Sequence, residues 1–331
     1  MVVSSAQTQT FMRSTLAIIT LAIVLAGCSG KKEKQPQNDT SYEEGYIDVD
    51  PGVRIFYQKE GNGPQVTIIP AGYWLYDDFK HLVNSDRTLV FYDMRNRGRS
   101  DYVKDTLLIT IQKDVDDIEK IRQHFKADKI NLMGWSYLGM MVMLYTNQYP
   151  DHVNKIVQLG PVPAKWDTPY PDSLRHAFEP ELRQGWKYMD SLKSLKLNET
   201  EPERFTTIQW DSVVSKMLVG DFANANKLGN QWRESIKYPN EWDINFSRHL
   251  QHHFGSIMNS SFTIDQFTGI NHPVLTIHGT KDRNAPYGGG KEWTERLPNA
   301  KLVRIEGAAH VPWAEYPEMV YQPIDSFLSE E

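Results

Sequence analysis

The sequence predicts an α/β fold: a mostly parallel central sheet flanked by helices, with a helical cap inserted between two strands. Three observations predict it. Short apolar runs alternate with segments of helical period through the first half of the chain. The rhythm stops at Pro161 and gives way to a long aromatic-rich stretch with no strand pattern. It resumes at Val274-Leu-Thr-Ile-His278. Such alternation argues for parallel strands joined by crossover helices.

A hairpin opens the folded body, with strands at Tyr46–Val49 and Val53–Tyr57 and a turn at Asp50-Pro51-Gly52. Gln65–Ile69 and Thr88–Tyr92 are short and apolar, as strands covered on both faces must be. Between Thr110 and Phe125, residues Ile111, Val115, Ile118, Ile121 and Phe125 recur at steps of three or four, which predicts a helix. Lys129–Met133 is a strand, Leu138–Tyr149 a helix and Asn154–Leu159 a strand. After the interruption come a strand at Val274–His278, a helix at Gly289–Leu297, a strand at Lys301–Ile305 and a closing amphipathic helix to Phe327.

With 331 residues, 40% of them hydrophobic, the chain suits one large domain carrying an insertion. A net charge of −6 and the lack of a basic stripe exclude a nucleic-acid partner. A single cysteine, Cys28, excludes an internal disulfide. Arg13 precedes an apolar run from Leu16 to Gly27, which is short for a membrane span and reads as the core of a signal peptide. Its end, Leu25-Ala26-Gly27-Cys28, resembles the lipobox of bacterial lipoproteins. That resemblance implies cleavage before Cys28 and lipidation of Cys28. The mature protein would then be held to a membrane of the bacterial cell envelope, facing the periplasm or exterior. Met12-Arg13 would make a more typical start to such a leader. The polar stretch after Cys28 reads as a flexible tether. The expected division is leader 1–27, tether 28–44, core 45–161 and 271–331, and helical cap 162–270.

Asn131-Leu-Met-Gly134-Trp135-Ser136-Tyr137-Leu138-Gly139 places a serine between an apolar strand and an apolar helix. This is the context of a nucleophile elbow. The sharp turn requires a small residue two before the serine, and Gly134 supplies it. The turn exposes the hydroxyl and aims the Tyr137 N–H at a developing oxyanion. The usual motif has glycine two after the serine; here Leu138 stands there and Gly139 follows.

Serine needs a base to take its proton, and the base needs a carboxylate to hold its tautomer. His310, in Glu306-Gly-Ala-Ala-His310-Val-Pro-Trp313, lies on a loop after the last predicted strand. Asp282, in His278-Gly-Thr-Lys-Asp282-Arg-Asn-Ala-Pro286, follows the preceding strand. Both fall beyond carboxyl ends of strands, where open α/β sheets carry their sites.

The chain order Ser136, Asp282, His310 is that of the α/β-hydrolases, and from about Tyr46 to Phe327 the chain resembles that superfamily. Asp93-Met-Arg95-Asn-Arg97-Gly98-Arg99-Ser100-Asp101 resembles the family's loop after its fourth strand, a structural network under the site. The helical insert resembles the caps of the proline iminopeptidase-like branch. The resemblance also implies a second oxyanion donor after the third strand. In Pro70-Ala71-Gly72-Tyr73-Trp74, Gly72 stands at that donor position, with Tyr73 the next candidate. The His-Gly-Gly-Pro-Gly of proline iminopeptidases is absent here. Tyr73 and Trp135 are the candidate substrate-binding residues.

Weaker signals complete the reading. Trp166, Trp186, Trp210, Trp232 and Trp242 fall in the cap, as its own small core or as a pocket lining. Glu179, Glu181, Glu241 or Asp243 could meet a substrate amine, although surface solvation is the better reading of any one of them. His249, His252 and His253 share a helical face, but no cysteine completes a metal set. Gly288-Gly289-Gly290 lacks the Lys-Ser/Thr of a phosphate loop and reads as a flexible helix start. No metal and no cofactor are expected. The expected partners are a small-molecule or short-peptide substrate and, through the anchor, a membrane. The expected activity is a serine hydrolase cleaving an ester or amide of a small to medium, partly apolar substrate. A proline iminopeptidase-like aminopeptidase and a non-catalytic ligand-binding protein are the alternatives. Dehalogenase or epoxide hydrolase chemistry would need aspartate at position 136.

Overall fold

The computed structural model describes residues 41–229 and 255–330. Eight strands form one sheet: β1 (Tyr42–Asp50), β2 (Val53–Glu60), β3 (Gln65–Pro70), β4 (Arg87–Tyr92), β5 (Ile130–Trp135), β6 (Val153–Leu159), β7 (Val274–Gly279) and β8 (Ala300–Ile305). Their spatial order is β1-β2-β4-β3-β5-β6-β7-β8. The β1–β2 and β2–β4 pairs are antiparallel. Every pair from β4 through β8 is parallel. Strands β4 and β7 are buried along their whole length, because helices cover both faces of the sheet. Each aliphatic side chain fully buried there stabilises the fold by about 1.5–3 kcal/mol.

The helices of the sheet region are α1 (Gly72–Phe79), α2 (Ile111–His124) and α3 (Tyr137–Gln148). Helix α2 begins where its pattern predicts, with the Thr110 hydroxyl accepting from the Lys113 N–H at 3.2 Å. Helix α1 takes up the stretch read as the donor loop. Its start carries no capping side chain, so no residue pattern marks it.

Strand β1 begins at Tyr42, inside the segment expected to be tether. Cross-strand polar pairs hold that extension. The Tyr57 hydroxyl donates to Glu43 at 2.7 Å, and the Lys59 ammonium lies 3.0 Å from the same carboxylate. A strand end built on polar pairs leaves no hydrophobic alternation to read.

The inserted segment contains α4 (Pro180–Ser194), α5 (Leu197–Thr200), α6 (Pro202–Gln209), a π-turn at Trp210–Val214 and α7 (Ser215–Leu218). Among the described residues it contains no strand. Leu182, Met189, Phe205 and Val213 make its own apolar cluster, with Trp186 packed against them. Trp166 and Trp210 pack instead against the main core. Trp232 and Trp242 lie outside the described residues.

The chain returns through β7, α8 (Tyr287–Arg296) and β8 to α9 (Pro312–Glu315) and α10 (Pro317–Ser329). The closing helix is thus two helices. Pro317 stands at the first turn of the second, where its missing N–H leaves no helical carbonyl unserved. Among the described residues no helix is long and apolar enough to cross a membrane.

Candidate active site

Ser136 stands between β5 and α3 with φ 58° and ψ −126°, a conformation that side chains rarely adopt. Holding a non-glycine residue there costs about 1–3 kcal/mol and needs fixed surroundings. Those surroundings are hydrogen bonds on both sides of the turn. The Ser136 N–H donates to the Leu159 carbonyl at 2.9 Å. The Ser136 carbonyl accepts from Gly139 at 3.0 Å and Val162 at 3.2 Å. A Cβ on Gly134 would lie 2.2 Å from the Leu138 carbonyl oxygen, so only glycine allows the elbow to close. Leu138 departs from the usual glycine without opening the turn. Its side chain is buried in the core, and Gly139 makes the close approach instead, against Pro161. Tyr137 is the first residue of α3. Its hydroxyl donates to Asp114 on α2 at 2.6 Å. Burial and that carboxylate push the phenol well above its ordinary range.

Asp282 follows β7 and is almost wholly buried. One carboxylate oxygen, Oδ1, accepts the N–H groups of Asn284 at 2.8 Å and Ala285 at 2.9 Å. The other, Oδ2, lies 2.7 Å from His310 Nδ1 and 3.2 Å from His278 Nε2. Burial alone would raise this carboxyl, but the charge of His310 and the bonds from His278 and His310 prevail. They hold it well below the usual carboxylate range. His310, buried on the loop after β8, has its backbone carbonyl bonded by the Trp135 indole N–H at 2.9 Å. The two rings sit 5.1 Å apart. The structure therefore brings Asp282 and His310 into contact and packs His310 against the residue beside Ser136. Gly160, at φ +47°, passes beneath the pair. A Cβ there would lie 3.2 Å from Asp282 Oδ2 and 3.3 Å from His310 Nδ1.

At the second predicted donor, Ala71 adopts a left-handed conformation (φ 63°, ψ 47°) and Gly72 begins α1. The neighbouring N–H, that of Tyr73, donates to Asp93 Oδ1 at 2.6 Å. Tyr73 is thereby removed as an alternative oxyanion donor, because its only backbone hydrogen is committed. Asp93 Oδ2 accepts from the Arg99 N–H at 2.8 Å, so one buried carboxylate ties the α1 start to the loop after β4. The Tyr73 ring lies 5.7 Å below the Arg97 guanidinium. Trp135 stacks on Trp74 with ring centroids 6.2 Å apart, and Trp74 meets Trp210 of the cap at 5.5 Å. This indole wall joins the α1 start, the elbow and the cap. Of it, the sequence reading singled out Trp135 and Trp210.

Two of the four cap acids have cationic partners. Glu179 accepts from Arg283 Nε at 2.8 Å and lies 2.9 Å from His176. Burial would raise its carboxyl, but Arg283 and His176 bring it down to about 2. Arg283 also donates to the Val219 carbonyl at 2.8 Å. Glu181 pairs with Lys216. Glu241, Asp243, His249, His252, His253 and Cys28 lie outside the described residues. Among the described residues no group of three or more acidic, histidine or cysteine side chains could hold a metal.

Comparison with known proteins agrees with this architecture. The chain is 24% identical over 300 residues to a proline iminopeptidase of Heyndrickxia coagulans, covering 87% of this chain and 99% of that one. It resembles the structure of an α/β hydrolase from a Medee basin deep-sea metagenome library, with a TM-score of 0.65 and 19% identity over 86% of this chain and 98% of the other. It also resembles an esterase of Exiguobacterium antarcticum, with a TM-score of 0.64 and 15% identity over 86% of this chain and 99% of that one. A family model described as the alpha/beta hydrolase fold matches residues 69–315. With that match added to the eight-stranded sheet and the elbow between β5 and α3, the chain belongs to the alpha/beta hydrolase fold family.

Proposed function

We propose that this protein is a serine hydrolase that cleaves an ester or amide bond of a small to medium, partly apolar substrate through an acyl-enzyme. The observation that carries the proposal is the 2.7 Å contact of His310 Nδ1 with Asp282, on a histidine held by Trp135 beside Ser136. In this reading the Ser136 hydroxyl attacks the carbonyl carbon while His310 Nε2 takes its proton. Asp282 stays ionised and fixes the imidazole with Nδ1 protonated. The N–H groups of Tyr137 and Gly72, each following a residue of positive φ, bond the oxyanion. His310 then passes the proton to the leaving group, and water releases the acyl product by the same steps. Trp135 and Tyr73 flank the substrate.

An aminopeptidase reading draws on the relatives named proline iminopeptidase. An amine-binding carboxylate would serve it; of the candidate cap acids among the described residues, Glu179 and Glu181 are engaged by Arg283, His176 and Lys216. The absent His-Gly-Gly-Pro-Gly ranks ester hydrolysis first. The test compares a short p-nitrophenyl ester with proline p-nitroanilide, using protein beginning after Cys28 and its Ser136→Ala variant. The expected result is ester cleavage that falls by about 10³-fold or more in the variant, with little anilide cleavage. Dominant anilide cleavage would favour the aminopeptidase. Turnover that persists in Ser136→Ala would sink the serine mechanism, and tight binding without turnover would point to a binding protein.

The lipobox-like end of the leader supports lipidation of Cys28 and anchoring in the cell envelope. Cys28→Ala is expected to move the protein out of the membrane fraction and to abolish palmitate labelling.

A further inference from the structure

We infer that His278, which stands outside the triad read above, is a positioning residue that donates a second hydrogen bond to Asp282 Oδ2 and so tempers the pull of that carboxylate on His310. The inference rests on the serine-hydrolase reading of Ser136, Asp282 and His310.

His278 lies in β7 and is completely buried. Its Nε2 is 2.9 Å from the Ala285 carbonyl and 3.2 Å from Asp282 Oδ2. A carbonyl only accepts, so Nε2 carries the hydrogen and shares it with the carboxylate. The other nitrogen, Nδ1, has no hydrogen-bonding partner. It faces the backbone of Gly290 so closely that a Cβ there would stand 2.1 Å away. A proton on Nδ1 would have no acceptor, so the hydrogen that His278 offers the carboxylate is the one on Nε2.

The glycine run of α8 gains a reason from this. Glycine inside a helix is unfavourable by about 1 kcal/mol relative to alanine. At Gly290 the absent side chain is the room the His278 ring occupies, with the Tyr287 ring at 5.8 Å closing its other side.

The effect on chemistry follows from where the bond lands. Oδ1 is taken by the Asn284 and Ala285 N–H groups. Oδ2 is the oxygen that faces His310, and His278 donates to that same oxygen. Each donor to a carboxylate draws charge from it. With His278 in place, Oδ2 stabilises a protonated His310 less, and a larger share of His310 is free to act as base. Among the described residues, the following groups lie near the pair. The acid loop offers Asp282, and α8 offers Tyr287 against His278. The Glu315 carboxylate bonds the Ala309 N–H. The cap's Glu179 is turned to Arg283. The elbow presents Trp135 and Ser136, neither of which titrates in this range.

The test is the pH profile of kcat/KM for the p-nitrophenyl ester in wild type, His278→Gln, His278→Met and His278→Asn, with Ser136→Ala as the blank. Glutamine places an N–H near the Nε2 position, methionine fills the space without a donor, and asparagine reaches only the Nδ1 side. In His278→Met and His278→Asn the acid limb is expected to move up by about half to one pH unit. His278→Gln is expected to keep the wild-type limb. If His278→Met does not fold, as judged by its near-UV circular dichroism, the Gln and Asn pair carries the comparison. An unmoved limb in the donor-less variants, or a limb in His278→Gln that moves as far as theirs, overturns the inference while leaving the triad intact. Turnover that survives Ser136→Ala removes the triad reading and this inference with it.

Discussion

The indole N–H of Trp135 donates to the backbone carbonyl of His310 at 2.9 Å, so the side chain next to the candidate nucleophile fixes the backbone of the candidate base. Trp135→Phe keeps a ring against Trp74 but leaves that carbonyl without its donor. Losing a buried partner costs about 1–3 kcal/mol, and kcat/KM is expected to fall about tenfold with the fold retained. Steady-state kinetics beside a thermal melt check this. Unchanged kcat/KM would show that the bond does not govern the base.

Ser136 is held at φ 58°, where glycine sits without strain. Ser136→Gly is therefore expected to abolish turnover and yet stabilise the protein. Relief of strain less the flexibility of glycine leaves a net gain of about 1 kcal/mol. Urea unfolding measures it, and a loss of stability would mean the elbow is relaxed as it stands.

Gly160 combines a φ of +47° with closeness to the Asp282–His310 pair. Gly160→Ala is expected to lose about 1–2 kcal/mol from backbone strain alone. Its methyl group also presses on the bonded atoms, so kcat should drop while KM stays near wild type. A variant with reduced stability and full kcat would contradict the placement.

The pH dependence of stability should carry a signature of Glu179. Its folded-state pKa of about 2 lies below its ordinary 4.5. The ionised carboxylate therefore stabilises the fold fully above about 4.5, and that contribution fades as pH falls toward about 2. Wild type is expected to melt above Glu179→Gln at neutral pH, with the two curves drawing together as pH falls toward about 2. A gap that persists unchanged at low pH would rule out the ion pair as its source.

Much of this architecture was legible in the sequence. Apolar runs and helical periods marked the parallel strands and α2, since burial on two faces or along one stripe leaves a pattern. The places of Ser136, Asp282 and His310 at the ends of strands were legible because each follows an apolar run. What escaped depends on polar groups that meet only after folding. The start of β1 rests on Glu43 with Tyr57 and Lys59, and α1 begins without a capping side chain. The commitment of the Tyr73 N–H to Asp93 joins residues twenty apart. His278 was visible only as part of a strand, because nothing in its neighbours announces which atom its ring will meet. Gly290 was read as flexibility and is instead space for that ring.

Asp282 and Arg283 are adjacent in the chain and face opposite ways, one toward His310 and the other toward Glu179 and the Val219 carbonyl. A tilt of the cap's first helix would reach the acid loop as a torque through a single peptide bond. In a chimaera, a cap lacking a carboxylate at the place of Glu179 would leave Arg283 without that partner, one residue from Asp282. The cap and the loop after β7 are therefore expected to be exchangeable only together.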